Sequence, residues 1–401
     1  MIKLFKKLSS ILFIPVLTVF IFNSCAEEPF PSLYEDIPPG GPTPVITSIS
    51  PVEALGGVTV VTIEGSNFSP KPEENLVFFS GTLADILSAS TTRLVVKTPF
   101  VAGDSIYIKI AVNGAVDFSD TLIYPVKAAS VELYGFQSFE KPYGMTVDKN
   151  SNVYVSLVNS GIGAGIKKIT PTDSLFDFAP KGVETQWSSL KIGPGGVLYA
   201  AKDARGIWKI EENVTPPNQP FVLLPSGAKI YDFDYDINGN IWAVGNNSNI
   251  FRVNLDLTVT TFPFTANLKS VRIFENALYV AGLKDSVEGV WRFLINGNDL
   301  GEAELYFNLS EAYNGKSLAV TFALDGDMYI GTDASESIVI VHLDKTHEPL
   351  YPGIFEPVTQ NFSWGTGTKL YATRFEGKGA TQTVWVIEMQ KPGAPYYGRD
   401  L

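Results

Sequence analysis

Cysteine and histidine are almost missing from this 401-residue chain, which holds one cysteine, Cys25, and two histidines, His342 and His347. A single thiol cannot form an internal disulfide. Two histidines without a cysteine nearby are thin material for a zinc centre or a Ser-His-Asp site, and no G-x-S-x-G run offers a nucleophilic serine. Charged residues make up only 18%, yet no apolar run reaches the ~20 residues of a membrane-spanning helix. The net charge of −12 leaves no basic excess for nucleic acid or anionic lipid headgroups, so a neutral ligand or a basic protein partner fits better.

What the chain does have is punctuation. Thirty-five glycines and 26 prolines interrupt a text rich in Val, Ile, Tyr, Phe and Trp, the profile of many short strands joined by tight turns. The length suits two domains, one small and one large. The expected fold class is all-β.

Lys3, Lys6 and Lys7 precede an apolar stretch from Leu8 to Phe22, the length of a signal peptide. Phe22-Asn23-Ser24-Cys25 follows, and it resembles a bacterial lipobox, at which a prolipoprotein is acylated on cysteine and cut before it. That resemblance implies a leader over residues 1–24, lipidation of Cys25 and anchoring to a membrane without spanning it. Ala26-Glu27-Glu28 resembles the acidic signal that sends some lipoproteins to the cell surface, so the expected location is the bacterial outer membrane, at the surface. Residues 25–43, with five prolines between Pro29 and Pro42, read as an extended spacer.

Between 44 and 127, short runs such as Val58–Ile63, Leu76–Phe79, Leu94–Val96 and Ile106–Ile110 are separated by turn residues, which predicts a β-sandwich. Ile49-Ser50-Pro51, Gly56-Gly57, Ile63-Glu64-Gly65-Ser66-Asn67-Phe68, Leu94-Val95-Val96-Lys97-Thr98-Pro99 and Val112-Asn113-Gly114 resemble the IPT/TIG family of Ig-like domains. Such domains act as spacers or docking modules, and Gly65 and Asn67 are turn formers here.

From 128 to 401 a phrase recurs. Tyr154, Tyr199, Trp242, Tyr279, Tyr329 and Tyr371 each end a turn-then-strand motif at intervals of 37 to 50 residues, and each is followed by a second strand such as Ile207-Trp208-Lys209-Ile210. Six units of this size without a helical period predict a six-bladed β-propeller. Lys141–Asp148 followed by Asn152–Val155 looks like an NHL repeat. Leu133–Phe136, ahead of the first unit, is expected to complete the last blade as its outer strand.

Candidate site residues come from the innermost strands. Their equivalent polar positions read Thr146, Lys191, Asp234, Arg272, Thr321 and Ser363, a poor divalent-metal set that suits a polar funnel or a pocket floor for a hydroxylated ligand. Tyr143, Trp187 and Tyr231 stand near the strand starts, where an exposed ring suits stacking on a sugar, although inter-blade packing is the commoner use of such rings. Asp148–Asn152 and Asp236–Asn240 open like calcium loops but lack the sixth-position Gly and twelfth-position Glu, so turn chemistry accounts for them. No metal and no cofactor are expected. Asp104-Ser105-Ile106, Asp120-Thr121-Leu122, Asp173-Ser174-Leu175 and Asp285-Ser286-Val287 resemble acceptor sites of a bacterial O-glycosylation system.

The combination resembles surface lipoproteins found beside outer-membrane glycan importers. The resemblance implies a non-catalytic glycan binder whose candidate contacts are Tyr143, Trp187, Tyr231, Lys191, Asp234 and Arg272, with an outer-membrane transporter or envelope protein as partner. Two alternatives stay open: a protein-interaction scaffold in an envelope complex, and a propeller lactonase or lyase.

Overall fold

The computed structural model describes residues 40–183, 186–374 and 382–400. The expected leader, Cys25 and most of the proline spacer lie outside the described residues.

The protein is all-β, an Ig-like sandwich followed by a six-bladed propeller. In the sandwich, one sheet orders its strands Val45–Ser50, Val60–Ser66, Arg93–Lys97 and Asp85–Ala89. The other runs Ala54–Leu55, Leu122–Lys127, Gly103–Val112, Asn75–Phe79 and Thr82–Leu83. Alternation explains which face is buried: in Gly103–Val112, Ile106, Ile108 and Ile110 turn inward against Val61, Ile63, Val77 and Leu94, while Tyr107 turns outward. Asn67 holds a φ of 62° just before buried Phe68, and a side chain at Gly65 would meet the Val45 carbonyl, so both are structural turn residues.

Only Ala128 and Ala129 separate the sandwich's last strand from Ser130–Leu133, which pairs antiparallel with Thr383–Glu388. One N-terminal strand therefore completes a sheet whose other three strands, Asn361–Trp364, Lys369–Arg374 and Thr383–Glu388, come from the far end of the chain. The closing strand ends three residues earlier than the sequence suggested, because Tyr134 and Gly135 both take a φ of 66° and break the extended run.

The inner strands are Glu140–Val147, Ser189–Ile192, Asp232–Tyr235, the second half of Val259–Phe274, Ser317–Phe322 and Asn361–Trp364. Each lies beside the next, and the last lies beside the first. Val259–Phe274 is one uninterrupted 16-residue strand that serves as the outer strand of the third blade and the inner strand of the fourth. That fusion removes a loop and accounts for the shortest repeat interval, Trp242 to Tyr279. Packing between blades comes from Leu190, Phe233, Val271, Val320 and Trp364, each contributing about 1.5–3 kcal/mol on burial. Trp208 and Trp291 are buried in the blades and Trp385 is half-buried. Among the described residues, no helix is long and apolar enough to cross a membrane.

Candidate functional site

An inner strand has one free edge, and its amides need partners away from water. Side chains from neighbouring blades supply them. Asp232 accepts from the Val271 amide at 3.0 Å, Asp234 from the Ile273 amide at 2.9 Å, Ser270 from the Val320 amide at 3.2 Å, and Ser363 from the Val147 amide at 3.1 Å.

The six polar positions read from the sequence are register equivalents: Thr146, Lys191, Asp234, Arg272, Thr321 and Ser363 each stand opposite the repeated aromatic of their own blade. They are committed inward. Arg272 donates to Asp234 at 2.8 Å, both are about 1% exposed, and the same guanidinium donates to the Ala394 and Pro395 carbonyls and lies 3.8 Å from the Tyr396 ring. Lys191 sits 3.2 Å from Asp232. Burial works against the charge on Lys191 and on Arg272, but the adjacent aspartates outweigh it and raise both, so the two cations keep their charge. Asp232 also accepts from the hydroxyls of Ser189 at 2.7 Å and Ser270 at 3.0 Å. Its importance was missed from the sequence because only one blade carries an acid two residues ahead of the aromatic's partner.

The far end of the channel is plugged. Residues 389–400 return to the ring and reach every inner strand. Ala394 donates to Phe322, the Tyr396 hydroxyl meets Thr321 at 3.2 Å and accepts from the Trp364 amide, and Arg399 donates to the Val147 and Trp364 carbonyls. Gly398 lies so close that a Cβ would fall 2.6 Å from the Tyr235 ring and 2.7 Å from the Ile192 carbonyl. The run Pro392–Arg399 follows the last blade strand without any repeat period, and its prolines, glycines and tyrosines were the only available signal.

Among the described residues, the opposite end is built differently. Every inner strand starts with a bulge, two residues facing one on the neighbouring strand. In the first, fourth and fifth blades the register slips around Tyr143, Lys269 and Leu318. In the others, the amides of Ser188, Tyr231 and Gln360 donate to the same carbonyl-bearing residues (Ala201, Val244 and Thr373) that pair with the next residue. Bulges re-aim side chains and recur beside binding sites. All six bulge residues are half-exposed and ring the mouth, and the buried Asp232 cluster begins one residue further along the second, third and fourth inner strands, at Ser189, Asp232 and Ser270.

Tyr143 and Tyr231 are thus at the mouth, whereas Trp187, one residue short of the bulge, is buried against Trp208 with ring centroids 5.2 Å apart. Lys191, Asp234 and Arg272 lie beneath. The loop bearing Tyr231 is held by reciprocal bonds between Lys229 and Asn247. Burial, with Asp203 adding to it, pushes the Tyr231 phenol up and keeps it neutral. The Lys269 ammonium stands 4.4 Å from the Tyr231 ring centroid, and burial lowers its pKa.

Elsewhere the turn reading accounts for the calcium-like loops. Asp148 Oδ1 accepts from the amides of Asn150 and Asn152, and its Oδ2 from Asn152 Nδ2 and the Tyr154 hydroxyl; Asp236 repeats the pattern with Asn238, Asn240 and the Trp242 indole. Among the described residues, no three His, Cys, Asp or Glu side chains gather in a metal-binding group. His342 bonds Asp327 and His347 bonds the Tyr313 hydroxyl. Ser105, Thr121, Ser174 and Ser286 are all exposed.

Residues 44–124 match the IPT/TIG domain family. No match emerges from comparison with curated proteins. Among solved structures, the chain is similar in fold to a candidate phosphatase from Bacteroides thetaiotaomicron VPI-5482 (TM-score 0.57, 11% identity, covering 87% of this chain and 97% of that one). It is similar also to auxiliary nutrient binding proteins from the same strain (0.51, 12%, 87% and 98%) and from Bacteroides ovatus ATCC 8483 (0.50, 13%, 86% and 97%). These likenesses establish the shared fold.

Proposed function

We propose that the protein is a lipid-anchored surface binder, accessory to nutrient uptake, which holds a carbohydrate at the propeller mouth. The observation that carries this reading is the ring of six bulge residues at Tyr143, Ser188, Tyr231, Lys269, Leu318 and Gln360, half-exposed at the starts of the inner strands, with the Asp232 carboxylate beneath already paired. Aromatic, hydroxyl and amide groups around one end of the ring suit a sugar's alternating apolar faces and hydroxyls. The plugged far end leaves one side for access. The fold-level likeness to auxiliary nutrient binding proteins supports the accessory role, and the lipobox-like Cys25 supports anchoring at the outer membrane.

A soluble chain lacking residues 1–25, run through polysaccharide affinity gels, tests the reading. Retardation by at least one glycan, lost in Tyr231→Ala, is the expected result; unretarded migration on every polysaccharide by a folded chain would overturn it.

One observation favours a second reading, a protein-interaction scaffold. The outer face of the five-stranded sandwich sheet carries an apolar hollow lined by Phe78, Tyr107, Phe118 and Ile123, with Tyr107 54% and Ile123 61% exposed. Crosslinking on intact cells separates the two readings, because a scaffold brings down a stoichiometric protein partner without added sugar. A lactonase or lyase has no such observation in its support.

A further inference from the structure

We propose that the mouth selects a sugar carrying one negative charge per residue, a uronate or a sulfate ester, and that Lys269 is the group that reads this charge. The inference rests on the reading of the mouth as a glycan site and goes further by naming the ligand class.

The argument begins with which lysines already have counter-ions. Around the same opening, Lys229 stands 3.4 Å from Asp203, Lys316 stands 3.3 Å from Asp333, and Lys284 is paired with Asp285. On the floor, Lys191 is paired with Asp232. Lys269 differs from these four: among the described residues no carboxylate lies within ion-pair distance of its ammonium, although the side chain is half-buried. Glu288 and Asp203 act on this ammonium only from beyond ion-pair distance, and together with the Tyr231 ring face they offset only some of the cost of its lost hydration. A ligand anion would restore what is missing.

Geometry makes the ammonium a defined contact. Lys269 is the extra residue of a bulge inside the uninterrupted strand Val259–Phe274, with no connecting loop beside it to move. Its floor neighbours, Ser270 and Val271, are fixed by bonds to Asp232 at 3.0 Å. A group held this way loses little freedom on binding. Its chemistry limits the partner: a compact ammonium matches a single charge better than a phosphate dianion, which favours bidentate or multiple donors. The net negative charge of the chain also disfavours capture of polyanions by long-range attraction alone, so a charged sugar would have to be recognised by this local contact.

The test uses the soluble chain and its Lys269→Met variant, with titration calorimetry on galacturonan, glucuronan and mannuronan oligomers, their carboxyl-reduced counterparts, and sulfated galactan oligomers. The wild-type chain is expected to bind at least one anionic polymer about tenfold or more tighter than its uncharged counterpart. Lys269→Met should abolish that preference, so that the charged and uncharged forms bind alike, while Lys269→Arg retains part of it. The uronate and sulfate arms identify which anion is meant. If the carboxyl-reduced and unsulfated forms bind as tightly as the charged ones, or if Lys269→Met keeps the preference, the charge-reading role is overturned and the glycan site stands. If no polymer binds, both fall. Should Lys269→Met fail to fold, as judged by circular dichroism, Lys269→Gln takes its place and is read in the same way.

Discussion

The two ends of the same six inner strands are treated in opposite ways. At their starts, each strand carries a bulge and a half-exposed residue, five residue types over the six positions. At their ends, Val147, Ile192, Tyr235, Ile273, Phe322 and Trp364 are all buried, and residues 389–400 bind across them. The difference teaches that a ring of blades does not need both ends fastened. Once the tail and the side-chain-to-amide bonds close one end, the residues at the other are released from holding the fold and can differ from blade to blade.

If that division is right, substitutions at the closed end cost stability and those at the mouth cost binding. The largest effect is expected from Asp234→Ala, which strands the fully buried Arg272 and leaves the Ile273 amide without its acceptor. Breaking a buried pair from one side costs about 3–5 kcal/mol. Urea melts followed by tryptophan fluorescence should show it, and a loss below 1 kcal/mol would mean that the pair does not fasten the ring.

Next comes Val131→Pro, placed in the short closing strand opposite Val386. Proline deletes a donor and does not fit a paired strand, at a cost of about 3 kcal/mol. Hydrogen exchange should then show protection lost first in Thr383–Glu388. Uniform loss across all blades would argue instead that closure is not a local seam.

Tyr396→Phe is milder. It keeps the ring that packs on Arg272 but removes the hydroxyl that reaches Thr321 and accepts from the Trp364 amide, for about 1–3 kcal/mol. Tyr231→Ala sharpens the contrast from the other side, since a half-exposed ring with one cation contact should cost about 1 kcal/mol or less while removing ligand retention. A large stability loss here, with binding intact, would invert the assignment of the two ends.

How much of this was legible follows from the repeat. Six aromatics at a common place fixed the number of blades, and because strand register has a period of two, they also placed Thr146, Lys191, Asp234, Arg272, Thr321 and Ser363 at one level of the channel. Their commitment to one another and to the tail was not legible, since residues 389–400 follow no repeat and meet Arg272 only through the folded ring. The bulges were hidden for a related reason: an extra residue shows only once its partner strand is known. Tyr143 and Tyr231 were found as aromatics, but Lys269 and Leu318 carry no such mark, and Trp187 was off by the one residue that separates a buried ring from the mouth.

The smallest expected effect concerns pH at the closed end. His342 bonds Asp327 at 2.9 Å, and Asp327 also binds Lys391, the residue from which the tail departs; Asp344 and Glu348 face the same imidazole. The hydrogen bond to Asp327, with these acids, raises the His342 pKa above its usual value despite burial. A raised pKa means that the folded state favours the protonated ring. Its contribution is therefore fully present below the unfolded value near 6.5 and is lost as pH rises through the higher folded value. Because the ring is partly exposed, a few tenths of a kcal/mol is the expected scale. Urea melts at pH 5.5 and pH 8 should show the wild-type chain losing that advantage over His342→Gln at the higher pH, with glycan binding at the mouth unchanged. Equal stability differences at both pH values would remove His342 from the tail's anchoring, and a parallel change in binding would show that the two ends are coupled after all.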